Sequence, residues 1–275
     1  MPFITNEQGA QPVDIFYQDY GQGDPVILIH GWPLSHQAWE GQIPALVENG
    51  YRCIAYDRRG FGISNEPWGG YDYSSLASDL HALIEELELE NVTLVGFSMG
   101  GGEVVRYLTD YGSEKIKRVA LVASIVPLVA QKEDNPAGVP QEDLDGIMGA
   151  LKKDRVGFLK QFHPGFYNFD VNKDRVSEAH LEYDWSISSH ASPQGTIKAA
   201  EAWAGTDFRD ELKNVNVPCL IVHGDADNIV PIETSAKQAH EGIEGSRLEI
   251  IAGAPHGLNI THREDLNRLL LDFVK

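Results

Sequence analysis

Short, almost wholly apolar runs alternate with longer amphipathic stretches through the first half of the chain. Pro25 to Ile29 (PVILI), Arg52 to Tyr56 (RCIAY), Val92 to Val95 (VTLV) and Val119 to Val122 (VALV) are the clearest of these runs. Runs of this length, rich in β-branched residues, suit strands buried on both faces. Between them, Trp39 to Asn49, Tyr73 to Leu87 and Gly101 to Tyr111 carry apolar residues at helical spacing. The alternation predicts an α/β fold with a mainly parallel sheet covered by helices on both faces. Phe3 to Thr5 and Asp14 to Asp19 predict an antiparallel edge, and Cys219 to His223 and Arg247 to Ile251 bring the expected strands to eight. A last amphipathic helix is expected from about His262 to Val274.

The alternation stops between Ile125 and Thr206, where Pro- and Gly-rich connections (DNPAGVP, HPGFYN) flank helical stretches such as Gln141 to Gln161. This pattern predicts a helical cap inserted into the core: residues 1–124 as its first part, 125–206 as the insertion and 207–275 as its second part. Such a cap would cover the C-terminal rim of the strands, where open α/β sheets bind ligands. A cap needs an apolar inner face to exclude water. Phe162, Phe166 and Trp203, with Ile125, Val129, Ile229 and Leu258, are the candidates for that wall.

The strongest chemical signal is VTLVGFSMGGG, Val92 to Gly102, an apolar strand running into Gly-x-Ser-x-Gly and then a helix. A sharp strand-to-helix turn lifts a serine hydroxyl clear of its neighbours by holding the serine in strained geometry. Gly96, Gly100, Gly101 and Gly102 stand where side chains would collide between strand and helix. Ser98 is the expected nucleophile, and the N–H of Met99, unpaired at a helix N-terminus, is the first expected oxyanion donor. Partners in the order Ser, Asp, His follow. PCLIVHG (Pro218 to Gly224) ends in Asp225-Ala226-Asp227, and a loop histidine, His256, stands in GAPHG after the last strand. His256 is the expected base and Asp227, just ahead of Ile229-Val230-Pro231, the acid that orients it; Asp225 is the alternative.

HGWP (His30 to Pro33), DRRGFGIS, GFSMGG, HGDAD and APHG together resemble the α/β-hydrolase superfamily over nearly the whole chain. YDRRGFGISNEPWGGYDY, VTLVGFSMGGGEVVRY and APHGLNITH are similar to the cofactor-free bacterial haloperoxidases, aryl esterases and perhydrolases. The resemblance implies the α/β-hydrolase fold and a triad of Ser98, His256 and Asp227. It also implies a second oxyanion N–H from Trp32, and perhydrolase-type use of Pro33, whose ring removes an N–H and restricts Trp32. The implied activity is cleavage of small carboxylic esters through an acyl-enzyme that hydrogen peroxide converts to a peracid, without a cofactor, in a trimer or hexamer. Alternatives are a plain carboxylesterase, a lactonase or lactamase, and a small-molecule receptor on the same fold. Hydrolysis of carbon–halogen bonds or epoxides needs an aspartate at the elbow, and Ser98 stands there.

Composition narrows the rest. Forty-one acidic residues against 22 Lys and Arg give a net charge of -19, which repels polyanions and argues against nucleic acid as a partner. No apolar run is long enough for a membrane span, and the N-terminus has neither basic nor apolar signal regions, so a cytoplasmic location is expected. Cys53 and Cys219 sit inside strand-like runs and read as buried hydrophobes. Ten histidines show no metal-ligand spacing, and Gly60-Phe61-Gly62 lacks the third glycine of a dinucleotide fingerprint, so neither metal nor nucleotide is expected. His30, His223 and the Asp57-Arg58-Arg59-Gly60 stretch are expected to brace loops near the active rim.

Overall fold

A computed structural model describes residues 2–9 and 11–275. Eight strands form one sheet: β1 (Phe3–Asn6), β2 (Val13–Tyr20), β3 (Pro25–Ile29), β4 (Arg52–Tyr56), β5 (Val92–Phe97), β6 (Ile116–Val122), β7 (Cys219–Gly224) and β8 (Arg247–Ile251). Their order is β1-β2-β4-β3-β5-β6-β7-β8, with β2 antiparallel to both neighbours and β4 to β8 parallel throughout.

Strand periodicity sorts the apolar residues onto two faces. Ile27, Ile29, Leu94, Leu121 and Ile221 face one core, while Val26, Leu28, Val95, Val122 and Val222 face the other. Nearly all are fully buried. Each such side chain contributes about 1.5–3 kcal/mol, against about 0–1 kcal/mol for an exposed ion pair. Apolar register therefore decides the sheet, and the acidic surface does not.

Helices α1 (Ile43–Glu48), α2 (Tyr73–Glu86) and α3 (Met99–Tyr111) lie in the successive connections from β3 to β6. The single helix expected over Trp39 to Asn49 is instead a 3-10 turn, His36–Trp39, followed by α1. Pro44 explains the restart, since proline fits the first turn of a helix and not its interior. Between β6 and β7 lie α4 (Gln141–Phe166), α5 (Glu178–His190) and α6 (Pro193–Gly205). The backbone of α4 breaks at Asp154, and the helix then runs a turn beyond Gln161, past Pro164, to Phe166. After β7 come α7 (Ala236–Gly242), α8 (Leu258–Thr261) and α9 (Arg263–Val274). No helix among the described residues is long and apolar enough to cross a membrane.

Candidate active site

At the end of β5 the chain turns into α3 through Ser98, whose backbone lies at φ 54, ψ -117. A non-glycine residue at positive φ is strained, and the surroundings hold it there. Ser98 N–H donates to the Val122 carbonyl at 2.9 Å, and its own carbonyl accepts from Gly101 N–H at 3.0 Å and Ile125 N–H at 3.3 Å. The crossing tolerates no side chain at Gly96, where a Cβ would lie 2.8 Å from the Gly101 Cα. Strand and helix meet backbone to backbone, and Ser98 stands at the crest with only 5% of its surface exposed.

The loops after β7 and β8 bring two more predicted residues to this serine. His256 Nε2 lies 2.9 Å from Ser98 Oγ, and His256 Nδ1 lies 2.7 Å from Asp227 Oδ2. The second Asp227 oxygen accepts from the Ile229 and Val230 N–H groups at 2.9 and 2.8 Å. Asp225 turns away and accepts from Gly253 N–H at 2.6 Å, so of the two carboxylates only Asp227 contacts the histidine. Burial alone would push the Asp227 carboxyl up. The charge of His256 and the hydrogen bonds from His223 and His256 outweigh burial and hold it well below the usual carboxylate range.

His223 does more than brace the strand end. Its Nε2 lies 2.9 Å from the Val230 carbonyl, which only accepts, so this nitrogen carries the proton. The same Nε2 lies 3.2 Å from Asp227 Oδ2, which is thus held from two sides. The spacing from His223 to Asp227, four residues apart within HGDAD, is the signal that ties the two together.

Trp32 follows β3 on the neighbouring loop, and the Trp32–Pro33 peptide is cis. Among the described residues neither Trp32 N–H nor Met99 N–H has a hydrogen-bond acceptor within the protein. The loop is fixed from below: Arg58 Nη2 donates to the His30 carbonyl at 2.7 Å, and Arg58 N–H donates to His30 Nε2 at 3.0 Å. Arg58 is itself paired, fully buried, with Glu103 of α3, which also accepts from Tyr56 Oη at 2.7 Å. The elbow helix and the Trp32 loop therefore share one buried polar network. Arg59–Asp79 and His36–Asp57 pairs, at 2.6 and 2.7 Å, brace the stretch beside it. Above, Trp32 Nε1 donates to the Thr196 carbonyl of α6 at 2.9 Å.

A cavity of about 330 Å³ opens beside Ser98 and His256. Of the expected wall, Ile125, Val129, Phe162, Trp203 and Ile229 line it. Phe166 and Leu258 do not. Phe166 lies behind the imidazole, edge-on to His256 at 4.9 Å and to Phe97 at 6.0 Å, and Leu258 is buried in the core on that side of the sheet. The wall is completed by Val139, Leu144, Ile147, Phe158, Val230 and Pro231, which the sequence reading left out. Leu144, Ile147, Leu151, Phe158 and Phe162 recur at the spacing of one α4 face, which is the signal that finds three of the six. Among the described residues, Asn228 is the polar lining residue besides Ser98 and His256, and no Asp, Glu, Lys or Arg side chain lines the cavity. Such a site favours uncharged, apolar groups next to a serine–histidine–aspartate relay.

The alpha/beta hydrolase fold family matches residues 24–263. A solved bromoperoxidase from Bacillus anthracis superposes with a TM-score of 0.95 at 48% identity, covering 99% of each chain. A non-heme chloroperoxidase of Kitasatospora aureofaciens is 38% identical over 100% of this chain and 99% of its own. A bifunctional esterase/perhydrolase of Acinetobacter calcoaceticus is 36% identical over the full length of both.

Proposed function

Because the chain belongs to the α/β-hydrolase family, among non-heme haloperoxidases and esterase/perhydrolases, we propose that it is a serine hydrolase of small carboxylic esters with perhydrolase activity. The relay from Asp227 through His256 to Ser98, at 2.7 and 2.9 Å on a strained elbow, is the observation that carries this reading.

His256 Nε2 takes the Ser98 hydroxyl proton as Oγ bonds to the ester carbonyl carbon. Charge collects on the former carbonyl oxygen, which accepts from the N–H groups of Trp32 and Met99. The carbon–oxygen bond to the alcohol then breaks, and His256 returns its proton to the leaving oxygen. Asp227 holds the imidazole in the tautomer with Nδ1 protonated and offsets the imidazolium charge. Water or hydrogen peroxide next gives a proton to His256 and bonds to the acyl carbon, Ser98 Oγ leaves and recovers the proton, and the product is an acid or a peracid. The peracid oxidises bromide or chloride in free solution, so halide oxidation follows from acyl transfer.

Residues 125–206 act as the cap over this chemistry, and their apolar wall admits uncharged acyl or alcohol groups. Pro33 selects the second nucleophile by limiting where the Trp32 carbonyl points, next to the place a bound peroxide occupies.

Hydrolysis of p-nitrophenyl acetate, and bromide oxidation with acetate and hydrogen peroxide, test the reading on Ser98→Ala and His256→Ala. Both activities are expected to fall on the order of 10³-fold or more in each variant, with the fold retained. Bromide oxidation persisting in Ser98→Ala would refute the acyl-enzyme route.

A further inference from the structure

Three consecutive residues at the end of α4 reach across to both loops that carry the acid and the base. The Phe166 carbonyl accepts from Gly257 N–H at 2.9 Å, and its ring stands edge-on to His256. Tyr167 lays its ring against Gly257, so closely that a Cβ there would run into it and lie 2.9 Å from Phe166 Cδ1. Its buried hydroxyl donates to Asp184 of α5. Asn168 sits in the left-handed region at φ 46, ψ 52, a conformation asparagine tolerates better than most residues. There its Nδ2 donates to the Ala226 carbonyl at 2.7 Å, and its Oδ1 accepts from Asn228 Nδ2 at 3.1 Å.

Ala226 and Asn228 flank Asp227 on either side, as Gly257 follows His256. The three residues therefore strap the acid loop to the base loop from outside: Phe166 packs against the imidazole of His256, and the Asn168 side chain bonds to the acid loop. We propose that Asn168 is a positioning residue, which holds the Asp227 loop in register with His256 through its amide bonds to the residues on both sides of the acid. One backbone bond, from Ala226 N–H to the Ala254 carbonyl at 3.2 Å, already joins the acid loop to the base loop; among the described residues no backbone bond joins residues 226 and 228 to the end of α4, so the Asn168 amide supplies that second tie. The inference rests on the serine–histidine–aspartate reading above.

Asn168→Gly separates the amide from the backbone, because glycine keeps the left-handed conformation without strain. A base displaced by a fraction of an ångström loses rate without losing substrate. In Asn168→Gly, kcat for p-nitrophenyl acetate is expected to fall about ten- to a hundredfold with KM nearly unchanged. The acid limb of the kcat/KM profile is expected to move to lower pH, because a carboxylate held less closely favours the charged form of its partner less. Among the described residues, His223 is the other titratable side chain in contact with the pair, 3.2 Å from Asp227 Oδ2.

Asn168→Asp keeps the acceptor for Asn228 but sets a carboxylate against the Ala226 carbonyl, and the same losses are expected in it. It carries the test if the glycine variant does not fold. A wild-type kcat and acid limb in the folded variants, with only the melting temperature lowered, would overturn the proposal. Ser98→Ala measured alongside separates the two levels: activity in that variant removes the triad reading itself, whereas its loss beside wild-type-like Asn168 variants removes the strap alone.

Discussion

Ser98, Asp227 and His256 hang from loops at the ends of strands and are fixed by backbone geometry, whereas the wall opposite them, on α4 and α6, is fixed by side-chain packing. On the proposed reading, one substitution on the strand side changes an atom that takes part in bond making. On the helix side, substitutions are expected to change shape, register or the stability of the covering, and chemistry only through them. The two sides are therefore expected to fail in different ways when altered.

The strand side is tested most severely at the carboxylate. Asp227→Asn is expected to lower kcat on the order of 10³- to 10⁴-fold, while Asp225→Asn, which loses only its bond to Gly253 N–H, stays close to wild type. Steady-state ester hydrolysis reads both. If the Asp225 variant is the worse, the loop after β7 uses the other acid.

Pro33 sharpens the contrast within the strand side, because it is expected to alter the choice of nucleophile while sparing the relay. Leucine at this position restores an N–H and frees φ, relaxing the restriction on Trp32. A hydrogen bond to peroxide worth roughly 1 kcal/mol corresponds to about a fivefold change, so the ratio of perhydrolysis to hydrolysis is expected to fall by at least that much in Pro33→Leu. Both rates measured on one ester decide it, since a parallel fall would reduce Pro33 to a stiffener of the loop.

The smallest expected effect lies on the helix side and leaves turnover alone. Burial pushes the Asp184 carboxyl up from 3.8 to about 6, against the opposing pull of His180 and the Tyr167 hydroxyl. Between these values the unfolded chain releases its proton while the folded one keeps it. Stability therefore falls as pH rises through that interval and stays at the lower level above it. Asparagine still accepts from Tyr167 but does not ionise, so Asp184→Asn is expected to lose this slope and to melt about 3 °C or more above wild type near neutral pH. Melting curves at acid and neutral pH check the sign; a larger gain in acid would contradict it.

Legibility in the sequence divides along the same line. Strands β3 and β4 coincide with their apolar runs residue for residue, because buried parallel strands admit almost no polar residue and turn signals bound them; β8 matches its expected bounds as an edge strand with Arg247 and Ile250 exposed, so its ends are marked by the turns around it. Ser98, Asp227 and His256 were legible as candidates that the structure brings together, because each occupies a loop after a strand, where glycine and proline mark the exits. Phe166 illustrates what was not. Composition identified an aromatic residue near the end of α4, but which side it faces depends on how the helix continues past Pro164 and docks on the His256 loop. Leu258 was misplaced for the same kind of reason, since one helical turn has too few residues to reveal its inner face. The roles of Ala226, Asn228 and Asn168 depend on long-range contact between loops and α4, which local periodicity does not encode.

The hydrogen bond from the Trp32 indole to the Thr196 carbonyl has an evolutionary consequence. Its acceptor belongs to the main chain, so every residue type at position 196 that preserves the helix provides it. Substitutions on the exposed face of α6 leave this acceptor in place. A deletion or insertion of a single residue upstream in α6 turns a different carbonyl towards the indole, rotating the acceptor by about 100° around the helix axis. This join between covering and core is thus set by spacing along α6 and not by the side chain at position 196.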